Sequence, residues 1–170
     1  ILKINSGSMK IGVTGITGKM GKSIAKLVDE DPIAQLSTGL VRPGNGFDKT
    51  DIAELLGKEA SGHLITSDID EFFNNCQAVI DFSSPALSIE CAKKAAQTGR
   101  ILVCGTTGFS DEEKQVLSSC ADSCVIVWSS NMAVGVNLLM NLTQKVASVL
   151  RDDYDIEIVE MHHREKSDSP

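Results

Sequence analysis

Short apolar segments alternate with segments of helical apolar spacing along nearly the whole chain, and this alternation restricts the possible fold more than any other feature. Strands that are separated by helices pair in parallel, because each helix carries the chain back along one face of the sheet. The apolar segments predict strands at 10–14, 33–41, 63–67, 78–82, 101–105, 125–130 and 155–161. The helical segments are 21–30, 51–57, 85–98, 137–150 and a further one that begins after Ser110. This order predicts an α/β fold in which a doubly wound parallel sheet carries helices on both faces.

Two of these helices have ends marked by residues that are typical of caps. Pro85 suits the first turn of a helix, and Gly99 suits the position just after a helix ends. Ser110 is a preferred N-cap, and the acidic residues at 111–113 suit the positive end of the helix dipole. We therefore expect one helix from Pro85 to about Thr98 and another directly after Ser110.

A glycine-rich loop joins the first predicted strand to the first predicted helix. Gly15, Gly18 and Gly21 give the spacing G-x-x-G-x-x-G. Glycines allow a tight turn and a close approach of the backbone to a pyrophosphate, which then rests on the N-terminus of the helix. The loop predicts a Rossmann-type dinucleotide site, and a purely structural turn is the alternative. The residues expected at the cofactor are Gly15, Ile16, Thr17, Gly18, Lys19 and Met20.

The end of the second predicted strand bears on which dinucleotide is preferred. An NAD-binding domain usually places an acid there, about 20 residues after the glycine loop, to bind the adenosine ribose. This chain has Val41 followed by Arg42. An arginine can bind a 2′-phosphate, and the missing carboxylate removes a repulsion against it. The expected cofactor is NADPH or NADH, with NADPH favoured; a solvated Arg42 in an ordinary loop is the alternative.

Three further polar or glycine-rich loops follow later strands, at 81–85, 105–109 and 129–137. Ligands of open α/β sheets bind outside the carboxyl ends of the strands, which is where these loops should meet. Their backbone N–H groups and small hydroxyls could hold a carboxamide or a carboxylate. Each loop could equally be ordinary turn chemistry.

Composition excludes several other classes of protein. The net charge is −7 and no basic patch is visible, so nucleic-acid binding is not expected. The longest apolar runs have the length of strands, so no membrane span is expected, and the start of the chain has no signal-peptide pattern, which favours the cytoplasm. The five cysteines are odd in number and form no C-x-x-C, which argues against a disulfide framework.

Five segments in order, GITGKMG, DFSSP, GTTGF, SNMAVGVN and EMHHREK, resemble the 4-hydroxy-tetrahydrodipicolinate reductases, also called dihydrodipicolinate reductases. The resemblance runs from Met9 to Pro170. It implies an oxidoreductase of the diaminopimelate route to lysine, which uses NAD(P)H to reduce a cyclic dicarboxylated imine to tetrahydrodipicolinate. The substrate is then a small dicarboxylate.

The resemblance also assigns roles to individual residues. It places the pyrophosphate on Gly15 to Met20 and the adenosine 2′ position beside Arg42. His162 matches the catalytic proton donor, Lys166 the second catalytic cation, and His163 a substrate contact. The segments that match the nicotinamide side are Gly105, Thr106 and Thr107, and Ser129, Ser130, Asn131 and Met132.

Residues 1–8 precede the strand-and-glycine pattern that begins at Met9, and they read as a leader or as a remnant of expression. The resemblance implies a division of the rest of the chain, with 9–161 as the dinucleotide-binding domain and 162–170 as the start of a substrate-binding domain. The rest of that second domain, which also carries oligomerisation in the family, is expected after Pro170, and with it a homotetramer. On this interpretation the 170 residues alone bind NADPH but do not turn over substrate.

Other interpretations of the same residues stay open at this point. His162 and His163 could be a surface pair on a charged tail. With Glu165 they are metal-ligand types, but their spacing matches no zinc signature, so no metal is expected. A semialdehyde or homoserine dehydrogenase is a rival, with Cys104 as the nearest candidate nucleophile. A non-catalytic nucleotide-sensing domain is another.

The spacing of the residues in HHREK bears on the backbone conformation of this segment. In a helical turn, His162 and Lys166 share one face at i and i+4, whereas in an extended chain they lie roughly 13 Å apart. A shared site therefore predicts a turn or an irregular loop after the last strand.

Overall fold

The computed structural model of the chain describes residues 8–159 and 161, and it contains a six-stranded sheet. The strands are β1 (Met9–Thr14), β2 (Ala34–Leu40), β3 (Ile65–Thr66), β4 (Ala78–Asp81), β5 (Ile101–Cys104) and β6 (Ile126–Trp128). Every pair is parallel, and the spatial order is β3-β2-β1-β4-β5-β6. The doubly wound parallel sheet that the sequence predicts is confirmed. The order reverses direction between β1 and β4, which is where such sheets bind their ligands.

The helices are α1 (Lys19–Glu30), α2 (Ile52–Leu56), α3 (Ile69–Asn74), α4 (Pro85–Thr98), α5 (Asp111–Cys120) and α6 (Val134–Leu150), followed by a 3-10 turn at Arg151–Asp153. Both cap predictions are confirmed. Gly99 ends α4 with φ of 64°, in the left-handed region that favours glycine. The Ser110 hydroxyl accepts a hydrogen bond from the Glu113 N–H, and the Glu113 carboxylate accepts one from the Ser110 N–H, which makes a complete capping box.

Helix α3 is absent from the sequence prediction, although a local signal for it exists. Asp68 caps it by accepting hydrogen bonds from the Asp70 and Glu71 N–H groups, at 2.8 and 3.0 Å. The helix has only six residues, too few for apolar periodicity to stand out. Its Phe72 and Phe73 are nevertheless almost fully buried, with rings packed edge to face at 5.5 Å.

The apolar core consists of two clusters that different helices supply. In one, Ala25 and Val28 of α1 and Ile52 of α2 pack with residues of β1, β2 and β3. In the other, the phenylalanines of α3 pack with residues of α4, α5, β4 and β5 such as Cys91 and Leu102. Two separate clusters are what a sheet with helices on both faces requires.

The chain divides into two compact units, with the sheet in the unit that ends at Ser130. The second unit, from Asn131, contains α6, which begins three residues before the predicted start and has no buried side chain among its described residues. The strand predicted at 155–161 is wrong for the described part, since 155–159 and 161 form no strand. Ile156, Ile158 and Val159 are exposed there. An apolar run becomes a strand only when its N–H and C=O groups find a partner, and the described residues supply none.

Across the described residues, no helix combines the length and the apolarity that crossing a membrane would need.

Asp51, the partly buried N-cap residue of α2, links this helix by hydrogen bonds to the loop that follows it. Its Oδ1 accepts hydrogen bonds from the Ala53 N–H and the Ser61 hydroxyl, both at 2.8 Å, and its Oδ2 accepts one from the Gly62 N–H at 2.7 Å. Partial desolvation would raise the pKa of Asp51. The hydrogen bonds from Ala53, Ser61 and Gly62 outweigh it and lower the pKa from 3.8 to about 2.

This network predicts how stability depends on pH. Because the folded-state pKa lies below the unfolded one, the carboxylate stabilises the fold fully above pH 3.8, and this contribution is lost as pH falls through about 2. We expect Asp51→Asn to be less stable than wild type at neutral pH and the difference to shrink between about pH 4 and about pH 2. Urea unfolding at several pH values measures it. Asp122→Asn, at an exposed position, is the control, and a pH-independent difference for Asp51→Asn would contradict the assignment.

Candidate functional site

A cleft of about 790 Å³ opens at the carboxyl edge of the sheet, at the point where the strand order reverses. The segments that line it include the glycine loop after β1, the end of β2 with the loop that follows, the residues after β3, the loop after β4 and the first turns of α4. The lining residues used below are Gly15, Thr17, Gly18, Val41, Arg42, Phe82, Ser83 and Ser84. The structure thus brings together the glycine loop and the arginine that the sequence had separated by more than 20 positions.

Two features of the glycine loop depend on glycine: the left-handed conformation of Gly15 and the close approach of Gly21 to the Gly15 carbonyl. Gly15 has φ of 57°, and its carbonyl accepts a hydrogen bond from the Gly18 N–H at 2.9 Å. A Cβ at Gly21, in the first turn of α1, would lie 2.2 Å from the Gly15 oxygen. The N-cap Gly18 has no side chain that could bind the first N–H groups of α1. The loop therefore presents a helix N-terminus, which favours an anion.

The other predicted residues of this loop take different positions. Thr17 lines the cleft, while Lys19 and Met20 are exposed at the start of α1. Ile16 is fully buried, and a Cβ at Gly39 would lie 2.7 Å from its side chain. Its side chain therefore belongs to the core, and only its backbone can face a ligand.

At the end of β2, Val41 and Arg42 have opposite environments. Val41 is buried, whereas Arg42 is exposed at the rim of the cleft. The position that usually carries an acid thus holds an apolar side chain turned into the core. Of the described residues that line this cleft, Glu90 of α4 is the acidic one.

A second cavity, of about 480 Å³, lies beyond the ends of β5 and β6. Thr107, Ser129 and Ser130 line it, so two of the predicted nicotinamide-side stretches meet there. Trp128 fixes this region: its indole N–H donates to the Thr106 carbonyl at 3.2 Å, and its ring packs edge to face on Phe109 at 5.6 Å.

Asn131 and Met132 belong to the second compact unit and are described within it. The Asn131 side-chain oxygen accepts a hydrogen bond from the Ala133 N–H at 2.8 Å, and the Asn131 backbone carbonyl accepts one from the Asn137 side-chain amide at 2.9 Å. Asn131 therefore organises the turn that leads into α6.

Asp81, the last residue of β4, and Phe82, which follows it, lie in the predicted 81–85 stretch but received no individual role from the sequence. A Cβ at Gly105 would lie 2.1 Å from the Phe82 ring, so the ring packs directly against the start of the 105–109 loop. Asp81 is completely buried and accepts a hydrogen bond from the Ser83 hydroxyl at 2.5 Å. An acid at the end of an apolar strand was the available signal for Asp81, because an acid is seldom buried unless its oxygens are bound.

Cys104, the candidate nucleophile of the rival interpretation, is fully buried at the end of β5. Burial raises the pKa of its thiol, and the nearby charge of Asp81 raises it further. Its sulfur lies 3.4 Å from an Asp81 oxygen. A thiol in these surroundings is a poor nucleophile, because the reactive thiolate is disfavoured.

The predicted catalytic residues His162 and Lys166 and the predicted substrate contact His163 lie outside the described residues, so their roles stay predictions. The same holds for Glu165. Within the described ranges, no group of three or more His, Cys, Asp or Glu side chains could hold a metal ion.

Comparison with known proteins gives two family matches. The model described as "Dihydrodipicolinate reductase, N-terminus" matches residues 9–132, and "Dihydrodipicolinate reductase, C-terminus" matches residues 135–170. A 4-hydroxy-tetrahydrodipicolinate reductase of Roseobacter denitrificans is 43% identical over 162 residues, which are 95% of this chain and 60% of that protein. The chain spans about 60% of the length of the curated relatives it matches.

Solved structures share the fold. A dipicolinate-bound dihydrodipicolinate reductase from Paenisporosarcina sp. TG-14 superposes with a TM-score of 0.69 at 22% identity, over 83% of this chain and 54% of the other. GenD2 from gentamicin A biosynthesis, in complex with NAD, superposes with a TM-score of 0.56 at 21% identity, over 74% of this chain and 35% of the other. At these identities the likeness concerns the fold alone.

The contact at Gly21 can be tested directly. We expect Gly21→Ala to displace the glycine loop and to weaken dinucleotide binding by more than about tenfold, because the loss of one charge-assisted backbone hydrogen bond has an effect of that order. Gly135→Ala is the matched control, since Gly135 is also in the first turn of a helix and a Cβ there meets nothing within 4 Å. Titration with NADPH, followed by fluorescence, measures both variants. Equal affinities for Gly21→Ala and wild type would show that the loop does not bind the cofactor.

Proposed function

This chain belongs to the dihydrodipicolinate reductase family, and from that premise we propose that the protein reduces 4-hydroxy-tetrahydrodipicolinate to tetrahydrodipicolinate with a nicotinamide dinucleotide, in the diaminopimelate route to lysine. The observation that carries this proposal is the cleft at the switch point of the sheet. There the Gly15–Gly18 turn, which ends at the N-cap of α1, and Arg42 line one space of about 790 Å³. Such a cleft suits a ligand with an anionic centre and an extended shape.

The proposed cofactor lies across the carboxyl edge of the sheet. Its pyrophosphate is bound by the N–H groups of the glycine loop and the N-terminus of α1. Its adenosine lies toward Arg42, and its nicotinamide toward Gly105–Thr107 and the stretch from Ser129 to Met132. The cavity beside Thr107, Ser129 and Ser130 supports this direction, since it lies past β5 on the opposite side of β4 from Arg42.

NADPH is the proposed preference over NADH. Arg42 offers a guanidinium for a 2′-phosphate, and Val41 takes the place of the carboxylate that would bind a 2′-hydroxyl. A doubly charged phosphate gains more from the cation than a neutral hydroxyl does.

The bound dinucleotide supplies the hydride. The residues proposed to act on the substrate are His162, as proton donor to the ring as charge develops on it, and Lys166, as the second cation; His163 contacts the substrate. A histidine suits proton transfer near neutral pH because its ordinary pKa is about 6.5. Arg164 and Lys166 add local positive charge, which attracts a dicarboxylate to a chain whose net charge is −7.

The remaining parts of the proposal keep the division of the chain, the substrate class and the assembly that were expected from the sequence. Residues 9–161 form the dinucleotide-binding part, and 162–170 begin the substrate-binding part. The substrate is a small dicarboxylate, in keeping with the dipicolinate bound by the Paenisporosarcina relative. The assembly is a homotetramer that works in the cytoplasm without nucleic acid, membrane or catalytic metal.

Arg42 allows a test of the cofactor preference. We expect Arg42→Ala to weaken NADPH binding by about 10- to 100-fold, because a hydrogen bond to a charged group contributes about 1.5–3 kcal/mol. NADH binding should change little. Calorimetric titration of both dinucleotides measures the ratio, and Lys26→Ala, at an exposed cation on α1, is the control. Equal losses for both dinucleotides would contradict a 2′-phosphate role.

Turnover tests the activity itself. The purified full-length protein should oxidise NADPH when 4-hydroxy-tetrahydrodipicolinate is added, and absorbance of the reduced nicotinamide follows the reaction. We expect His162→Gln to lower kcat by about 10²- to 10⁴-fold, the usual contribution of general acid catalysis, with NADPH affinity unchanged. A full-length protein that binds NADPH without turnover would instead favour a nucleotide-sensing function.

A further inference from the structure

Asp81, at the end of β4, is a fully buried acid whose oxygens accept hydrogen bonds from side chains of the end of β1, of α4 and of two loops. Its Oδ1 accepts from the hydroxyls of Thr14 and Ser83, the latter at 2.5 Å. Its Oδ2 accepts from the Ser88 hydroxyl and lies 3.4 Å from the Thr106 hydroxyl. A carboxylate is tolerated in the interior only when such donors replace the water it has lost.

The donors to Asp81 stand next to the segments that are proposed to hold the dinucleotide. Thr14 immediately precedes Gly15, whose left-handed conformation starts the glycine loop. Ser83 lines the cleft, and Thr106 lies in the 105–109 loop on the nicotinamide side. The end of β1, directly before the glycine loop, and the loops after β4 and β5 therefore share one acceptor.

Two backbone contacts reinforce the same junction. The Ser83 N–H donates to the Thr106 hydroxyl at 3.0 Å, and the Gly105 N–H donates to the Asp81 carbonyl at 2.8 Å. Thr106 is thus held by Asp81 and Ser83 together, and its side chain is buried rather than directed to the cleft. Its hydroxyl positions the loop, while the backbone of the loop remains for a ligand.

Thr38, another buried hydroxyl of the sheet, has a different arrangement. Thr38, in the middle of β2, donates to one backbone carbonyl, that of Leu64, at 3.1 Å. Its hydroxyl therefore joins β2 to the residue before β3 and has no bond to the glycine loop or to the loops after β4 and β5 among the contacts described. Apolar side chains can fill a core without removing a charge from water. Packing alone therefore does not explain why several hydroxyls bind one buried carboxylate at the edge of the sheet where the ligand is proposed to lie.

We propose that Asp81 is a positioning residue for the dinucleotide: by binding Thr14, Ser83 and Thr106 at once, it fixes the glycine loop and the nicotinamide-side loop at one separation. The inference rests on the proposed cofactor binding. It assigns a role to Asp81 although this residue is not proposed to contact the cofactor. Its consequence is a loss of dinucleotide affinity that exceeds what the loss of stability explains.

The experiment compares substitutions at Thr14 and Asp81 with one at Thr38. Thr14→Val removes one hydroxyl at nearly constant volume, Thr14→Ser keeps that hydroxyl, and Asp81→Asn alters the acceptor. Thr38→Val removes an equally buried hydroxyl away from the cleft. For each variant of the purified full-length protein, calorimetry gives the Kd for NADPH, and urea unfolding gives the stability.

We expect Thr14→Val and Asp81→Asn to weaken NADPH binding by about tenfold or more, the effect of losing one hydrogen bond to a charged group. Thr14→Ser should recover most of that affinity. Thr38→Val should lose comparable stability while its Kd stays within about twofold of wild type. Because Thr14→Val is a mild change, the comparison holds even if Asp81→Asn does not fold.

Two results overturn the inference while the proposed function stands. One is wild-type affinity in Thr14→Val; the other is equal weakening in Thr38→Val at equal loss of stability. If wild type binds neither NADPH nor NADH, the proposed function and the inference fail together.

Discussion

Parallel pairing of β1 with β2 on one side and with β4 on the other determines where every loop of functional interest lies. In a parallel sheet all strands end at the same edge, so the loops after β1, β2, β4 and β5 must emerge together. Because the chain winds outward in both directions from β1, the crossing helices diverge and leave a crevice between them. The glycine loop lies at this crevice, and the close contact of Gly21 with the Gly15 carbonyl lets α1 start directly at its rim.

Much of this could be predicted from the sequence, because the signals involved are local. Strand and helix periodicity spans a few residues, and the capping box of Ser110 and the left-handed Gly99 depend on neighbours within one turn. The glycine loop is likewise read from seven consecutive positions. Its residues predict a dinucleotide site mainly because the loop lies between a strand and a helix.

What the sequence did not predict depends on partners that are distant along the chain. Thr14 and Asp81 are 67 positions apart, and Asp81 and Thr106 are 25 apart, so no short pattern reveals that they share a hydrogen-bond network. The prediction of a strand at 155–161, which the described residues 155–159 and 161 do not form, is wrong for the same reason. Its apolar residues have strand-like alternation, but a strand exists only through pairing, and pairing is a property of the whole sheet.

The shared acceptor at Asp81 also has a consequence for how this sequence can change over evolutionary time. Four hydroxyls and one carboxylate that depend on one another cannot be exchanged independently, since any single replacement leaves a buried polar group without its partner. Effects of substitutions at positions 14, 81, 83, 88 and 106 should therefore be strongly non-additive. These five positions are expected to change together, because stepwise replacement by apolar residues passes through variants that are less stable than the first or the last.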